Sequence, residues 1–133
     1  LCALVNNAGV TGIDKTARPN PLEFVGPEHY ERVMSTNVYG LVRATEAFLP
    51  LLKECSGSRI VNLGSYFGDL APGRAYLAQY VASKFAVEGL TDVWRRSMQH
   101  DGIAVLRRSS TVASTHRPLT CLRCPKSRRR SHW

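Results

Sequence analysis

The chain has 133 residues, 44% apolar and 21% charged, with 18 basic and 10 acidic side chains and a formal net charge of +8. That length carries one small domain rather than two, and the apolar content can fill a core, which sets aside a disordered polar chain. No uninterrupted apolar run approaches the roughly 18 residues of a membrane-spanning helix, so no such span is expected.

The first element is Leu1–Val5, a short apolar run that reads as a buried strand. It ends in Asn6-Asn7-Ala8-Gly9, whose small, turn-prone residues let backbone pass close to another group. A chain that opens inside a strand, with no initiator Met or charged leader before it, is expected to be a fragment, and no targeting segment is legible. From Thr11 to Pro27, the residues Gly12, Pro19, Asn20, Pro21, Gly26 and Pro27 mark a loop.

A helix is predicted from Pro27-Glu28, where proline and an acid suit a first turn, to about Glu54. Met34, Val38, Leu41, Thr45, Phe48 and Leu52 recur every three or four positions and form a stripe for a sheet, with Asn37 beside it. After the Ser56-Gly57-Ser58 turn, Arg59–Leu63 reads as a second strand, and Gly64–Gln79 as a loop. Tyr80–His100 is predicted as a second helix with Ala82, Ala86, Leu90 and Val93 on one face, and Ile103–Leu106 as a third strand. This strand–helix rhythm argues a parallel α/β sheet with three strands and two main helices.

Beyond Leu106 the periodicity stops. Residues 1–106 hold 10 basic and 10 acidic side chains, whereas 107–133 hold Arg107, Arg108, Arg117, Arg123, Lys126, Arg128, Arg129 and Arg130 and no acid. The whole net charge therefore belongs to the tail. Residues 1–106 are expected to be the fold, and 107–133 a disordered or out-of-frame basic tail. Such an abrupt change is what a wrong reading frame or a mis-assigned splice site produces, and genomic sequence tests it.

Lys126–Arg130 is basic but has no interleaved aromatics, so no specific nucleic-acid partner is expected. Cys121 and Cys124 with His116 and His132 lack regular metal-ligand spacing, and no metal site is assigned. Four scattered cysteines, Cys2, Cys55, Cys121 and Cys124, are expected as reduced thiols in a cytosolic setting.

Tyr80-Val81-Ala82-Ser83-Lys84 carries the clearest chemistry, because a phenol and an ammonium four residues apart on a helix share one face. Free tyrosine, with a pKa near 10, is a poor base at neutral pH; a nearby cation favours phenolate and makes Tyr80 a usable proton donor and acceptor. Ser65 lies just past the second strand, and ligands of open α/β sheets bind outside the carboxyl ends of strands. Asn7-Ala8-Gly9 follows the first strand at that same rim.

Asn6–Gly9, Thr36-Asn37-Val38-Tyr39-Gly40, Ile60–Ser65 with Gly68, and Tyr80–Lys84 occur in one order that resembles the short-chain dehydrogenase/reductase family over residues 1–106. Leu90–Arg96 looks most similar to retinol- and steroid-dehydrogenase-like members. The resemblance implies part of a Rossmann-type three-layer α/β sandwich whose first half, with its Gly-rich phosphate loop, is not in this sequence. It also implies hydride transfer between NAD or NADP and an alcohol or carbonyl substrate.

Under that resemblance Tyr80 would pass the proton, Lys84 would assist Tyr80 and bond the nicotinamide ribose, and Ser65 would orient the substrate oxygen. Asn37 would hold a water linking Lys84 to solvent, Asn7, Ala8 and Gly9 would let backbone approach the cofactor, and Asn6 would tie down the strand. Tyr66, Phe67, Leu70 and Leu77 would lie near an apolar substrate, and homo-oligomers occur in the family.

Two departures bear on the substrate more than on the chemistry: the 15-residue step from Ser65 to Tyr80 and the Thr11–Pro27 loop are both long for the family. A third is that no Pro-Gly follows Leu106, where the resemblance implies a turn that meets the nicotinamide carboxamide. Little turnover is expected of the chain alone. The rival expectation is a non-catalytic interaction protein whose half-sheet is completed by a partner and whose basic tail binds acidic surfaces.

Overall fold

The computed structural model describes residues 1–12, 26–66 and 77–109. The Thr11–Pro27 loop from 13 to 25, the segment with Phe67, Gly68 and Leu70, and the tail from 110 onward, with its Cys and His residues and basic run, lie outside the described residues.

Three parallel strands, β1 (Ala3–Asn6), β2 (Arg59–Leu63) and β3 (Ala104–Arg108), lie side by side in chain order. The helices between them are α1 (Pro27–Met34), a π-helical turn at Ser35–Tyr39, α2 (Gly40–Lys53) and α3 (Ala78–Ser97), followed by a 3-10 turn at Met98–Asp101. This is the α/β arrangement of part of a Rossmann sheet. The third strand runs two residues past Leu106, so Arg107 and Arg108 belong to the sheet.

Local chemistry sets the element ends. Pro27 opens α1, where its missing N–H is one that no helix would use, with Glu28 in the first turn against the helix dipole. Gly102 closes the segment after α3 at φ 68°, a left-handed conformation that costs glycine little. There its N–H donates to the Gln99 carbonyl at 3.1 Å, and the Ile103 N–H donates to the Met98 carbonyl at 3.2 Å.

On the helix-facing side of the sheet, Leu4, Ile60 and Val105 stand in register at the second position of each strand. Ile60 and Val105 join Leu52 and Ile103 in an almost fully buried cluster, with Leu4, Leu49, Trp94 and Met98 around it. Two residues further along, the register brings Asn6, Asn62 and Arg107 into line. Asn6 Nδ2 donates to Thr45 Oγ1 on α2 at 3.0 Å and to Asn62 Oδ1 at 2.9 Å, while Asn62 Nδ2 donates to Thr91 Oγ1 on α3 at 3.0 Å. Asn6 thus ties down its strand, as the resemblance implied.

The opposite face is more open: Val5 is 59% and Leu106 46% exposed, although the Leu1–Val5 run reads as a buried strand. The described helices pack on one face only.

Three sequence expectations are corrected. Phe48 is 43% exposed, and Leu49 takes its place against the core. The steps 45–48–52 and 45–49–52 fit a helix equally well, so period alone does not choose between them. On α3 the buried residues are Gln79, Ser83, Lys84, Val87 and Thr91, whereas Ala82 and Val93 face outward and Ala86 and Leu90 are half-buried. The polar row of the sheet and the rim beyond it require polar partners, so a polar stripe of α3 is turned inward.

The third correction concerns the thiols. Cys2 and Cys55, with Cα atoms 5.3 Å apart, form a disulfide that joins the entry of β1 to the turn after α2. A separation of 53 residues hides this pairing from any reading of spacing.

Candidate active site

The carboxyl ends of β1 and β2 and the first half of α3 meet around Lys84. Its side chain is buried, and Nζ donates to the Leu63 carbonyl at the end of β2 at 2.8 Å. One turn earlier on the helix, the Tyr80 ring has its centroid 5.7 Å from Nζ, at the outer reach of a cation–π contact. Burial pushes the Lys84 ammonium below the usual lysine range, and the negative charge of Glu88 acts against that shift.

Asn37 sits in the π turn, 2% exposed. Its Oδ1 accepts from the Val10 N–H at 2.8 Å; its Nδ2 donates to the Val10 carbonyl at 2.9 Å and to Ser83 Oγ at 2.9 Å. Ser83 Oγ in turn donates to the Tyr80 carbonyl at 2.7 Å. The amide therefore clamps the chain leaving β1 to the helix that carries Tyr80 and Lys84. π turns of this kind recur at functional sites because the extra residue redirects a side chain.

Gly9 lies inside this clamp. A Cβ at that position would stand 3.4 Å from Asn37 Oδ1 and 3.8 Å from Lys84 Nζ, in ordinary contact with both, so the backbone passes beside the amide and the lysine. Asn7 and Ala8, beside it, are exposed. Ser65 is buried two residues past Leu63, Tyr66 is 47% exposed, and Leu77 is buried.

The structure thus gathers Gly9, Asn37, Tyr80 and Lys84 around one clamp and sets Ser65 on the adjoining strand end. Sequence reasoning passed over three participants: Val10, Ser83 and Glu88. Ser83 stood within the quoted Tyr80–Lys84 motif but had no role there, because its function depends on a partner 46 residues away.

A parallel sheet with helices packed on one face, and side chains gathered at its carboxyl rim, is the α/β arrangement of part of a Rossmann-type domain. Residues 1–116 match the family described as short chain dehydrogenase. The chain belongs to the short-chain dehydrogenase/reductase family.

Among relatives, it is 39% identical over 103 residues to the mitochondrial D-beta-hydroxybutyrate dehydrogenase of Rattus norvegicus, covering 77% of this chain and 27% of that protein. It is also 39% identical over 105 residues to retinol dehydrogenase 5 of Homo sapiens, covering 79% of this chain and 30% of that one. The chain spans less than a third of either relative. Among solved structures, landomycin C-6 ketoreductase LanV with bound NADP and rabelomycin is similar at 28% identity and a TM-score of 0.68, over 80% of this chain and 40% of that one. No described helix is long and apolar enough to cross a membrane.

Proposed function

We propose that the protein is an NAD(P)-dependent oxidoreductase that interconverts an alcohol and its carbonyl compound, with Tyr80 as proton donor and acceptor. The observation that carries this reading is Lys84, an ammonium fixed by the Leu63 carbonyl at 2.8 Å and held one turn from the Tyr80 ring.

Bound NAD or NADP would supply the hydride acceptor or donor. The close approach at Gly9, where a side chain would fill the space beside Lys84 Nζ, fits the ribose end of such a cofactor. Asn7, Ala8 and Gly9 would present backbone to it, and Lys84 would bond its ribose. Tyr80, as a phenolate stabilised by the Lys84 charge, would take the hydroxyl proton of the alcohol and become the neutral phenol. Ser65 would hydrogen-bond the substrate oxygen and orient it.

The Asn37 side chain is committed to Val10 and Ser83, so its proposed part is to hold the β1 exit against α3. A water between Asn37 and Lys84 would have to use another of its atoms. Substrates of the relatives, a hydroxy acid and retinol, are the first to try. Homo-oligomerisation remains part of the proposal, with Phe48, Leu51, Phe85 and Val93 apolar and exposed on the helices.

A cytosolic site would require Cys2 and Cys55 to be reduced, and alkylation at the moment of cell lysis reads that directly.

Turnover by this chain alone is proposed to be slow, and a single-turnover assay is the suitable test. Reduced cofactor formed from D-3-hydroxybutyrate, retinol or a 3-hydroxysteroid is compared between the wild-type protein and Tyr80→Phe. A loss of roughly 100- to 10,000-fold is expected; equal rates in the two proteins would sink the proposal.

A second reading, an interaction protein without catalysis, draws on the exposed Val5 and Leu106 of the open sheet face. Stoichiometric co-purification of a partner, with salt-sensitive binding lost on removing residues 107–133, would favour it.

A further inference from the structure

The last member of the polar row leads to a carboxylate that the proposed reaction does not use. Tyr80, Lys84 and Glu88 follow one another at four-residue steps on α3 and share a face. The Glu88 side chain is only 17% exposed, and its Oε2 accepts from Arg107 Nη1 at 2.8 Å. The other oxygen, Oε1, is buried and has no hydrogen-bond partner among the described residues. It is packed so closely against Gly64 that any Cβ there would collide with it.

Gly64 directly follows Leu63, whose carbonyl holds Lys84, and its N–H donates to the Arg108 carbonyl at 2.9 Å. Consecutive residues at one strand end thus seat an ammonium and a carboxylate. Leaving a carboxylate oxygen buried and unbonded is unfavourable by itself, so a compensating role for its charge is called for.

Titratable and charged groups stand on every described element packed against α3. The helix itself carries Tyr80, Glu88, Asp92, Arg95 and Arg96, β3 carries Arg107 and Arg108, the π turn Tyr39, and α1 Glu28, His29, Tyr30, Glu31 and Arg32. Among them, the charge that acts on Lys84 is that of Glu88, while the end of β2 contributes the neutral Leu63 carbonyl and the π turn neutral Asn37.

We propose that Glu88, seated between Arg107 and Gly64, is a positioning residue for the Tyr80–Lys84 pair, supplying the fixed counter-charge that holds the Lys84 ammonium at the end of β2. This rests on the oxidoreductase reading for its purpose but not for its geometry. Burial works against the ammonium and Glu88 works for it, which gives the proposal its direction. Arg107 holds the outer carboxylate oxygen, so a residue at the start of the basic segment fixes the site from behind.

The test is a pH titration of the Lys84 ε-carbon by NMR in lysine-labelled protein, with Lys53 as internal reference and Lys84→Arg to assign the signal. Glu88→Gln is expected to move the Lys84 midpoint downward, beyond any change at Lys53. An unmoved or raised Lys84 midpoint overturns the proposal. Should that variant not fold by circular dichroism, Glu88→Asp, whose charge is withdrawn by one methylene, is expected to show a lowered midpoint, and a wild-type value there overturns it.

None of this requires turnover, so the oxidoreductase reading fails or stands separately, on Tyr80→Phe. In the single-turnover assay, Glu88→Gln is expected to lose Tyr80-dependent rate at a lower pH than wild type. A merely structural glutamate would lower the rate without moving that limb.

Discussion

The helix-facing side of the sheet changes character along the strands. Leu4, Ile60 and Val105 form an apolar row; two residues on, Asn6, Asn62 and Arg107 form a polar one, each reaching a helix through Thr45, Thr91 or Glu88. Apolar contact is non-directional and accepts many relative positions of helix and strand, whereas a hydrogen bond accepts few. The first row therefore supplies cohesion, and the second fixes where α2 and α3 stop along the strands. That axial position decides whether Lys84 meets the Leu63 carbonyl.

Removing bulk from the apolar end should have the largest effect. Leu52→Ala, at a fully buried side chain, is expected to lower stability by about 2–5 kcal/mol in urea denaturation. A cost near zero would mean that the cluster is not the core, and the division between the rows would lose its meaning.

Next comes the Cys2–Cys55 bond beyond the apolar end. Closing a loop with a 53-residue separation in the unfolded chain stabilises by about 4 kcal/mol at most in the chain-entropy account. Cys2→Ser should lower the thermal midpoint accordingly and leave the Lys84 titration unmoved. A shifted Lys84 midpoint would show that the two ends are coupled after all.

Cutting the polar row is expected to be milder but more specific. Asn62→Ala takes one acceptor from the Asn6 amide and one donor from the Thr91 hydroxyl, which keep Thr45 and the Val87 carbonyl, at about 1–3 kcal/mol. Its distinguishing effect is on amide exchange, which should quicken at Gly64 and Arg108 relative to Ile60. Uniform quickening would mean that the row has no positioning role.

The smallest expected effect is on pH dependence, and its sign is fixed. Because burial lowers the Lys84 value in the folded state, the unfolded chain binds more protons between the lowered value and the ordinary 10.5. Stability from this residue therefore rises with pH through that window. The wild type should gain on Lys84→Met as pH rises toward 10.5, and a widening loss would contradict the placement.

Much of the fold was legible because strand and helix periods are local. Arg59–Leu63 matched to the residue, α1 begins at Pro27 as its proline and acid dictate, and Gly102 ends the last helical segment. The family motifs named Asn37, Ser65, Tyr80 and Lys84, and the structure brings Asn37, Tyr80 and Lys84 to one clamp. The side-chain partners of Asn37 were not legible, because they lie 27 and 46 residues away. The inward face of α3 was misread because apolar spacing there points to Ala82 and Val93, while the sheet above it presents Asn62 and Arg107.

By itself the sequence determined the alternation of strand and helix, the parallel sheet that short apolar strands require, and the tyrosine–lysine pair that one helical turn enforces. Only the tertiary structure decided which stripe of α3 turns inward, that Cys2 meets Cys55, that Ser83 and Val10 complete the Asn37 clamp, and that Glu88 and Arg107 stand behind Lys84. A period records how side chains repeat along one element. It carries no information on which residue of another element stands opposite, and every one of those later contacts is such a pairing.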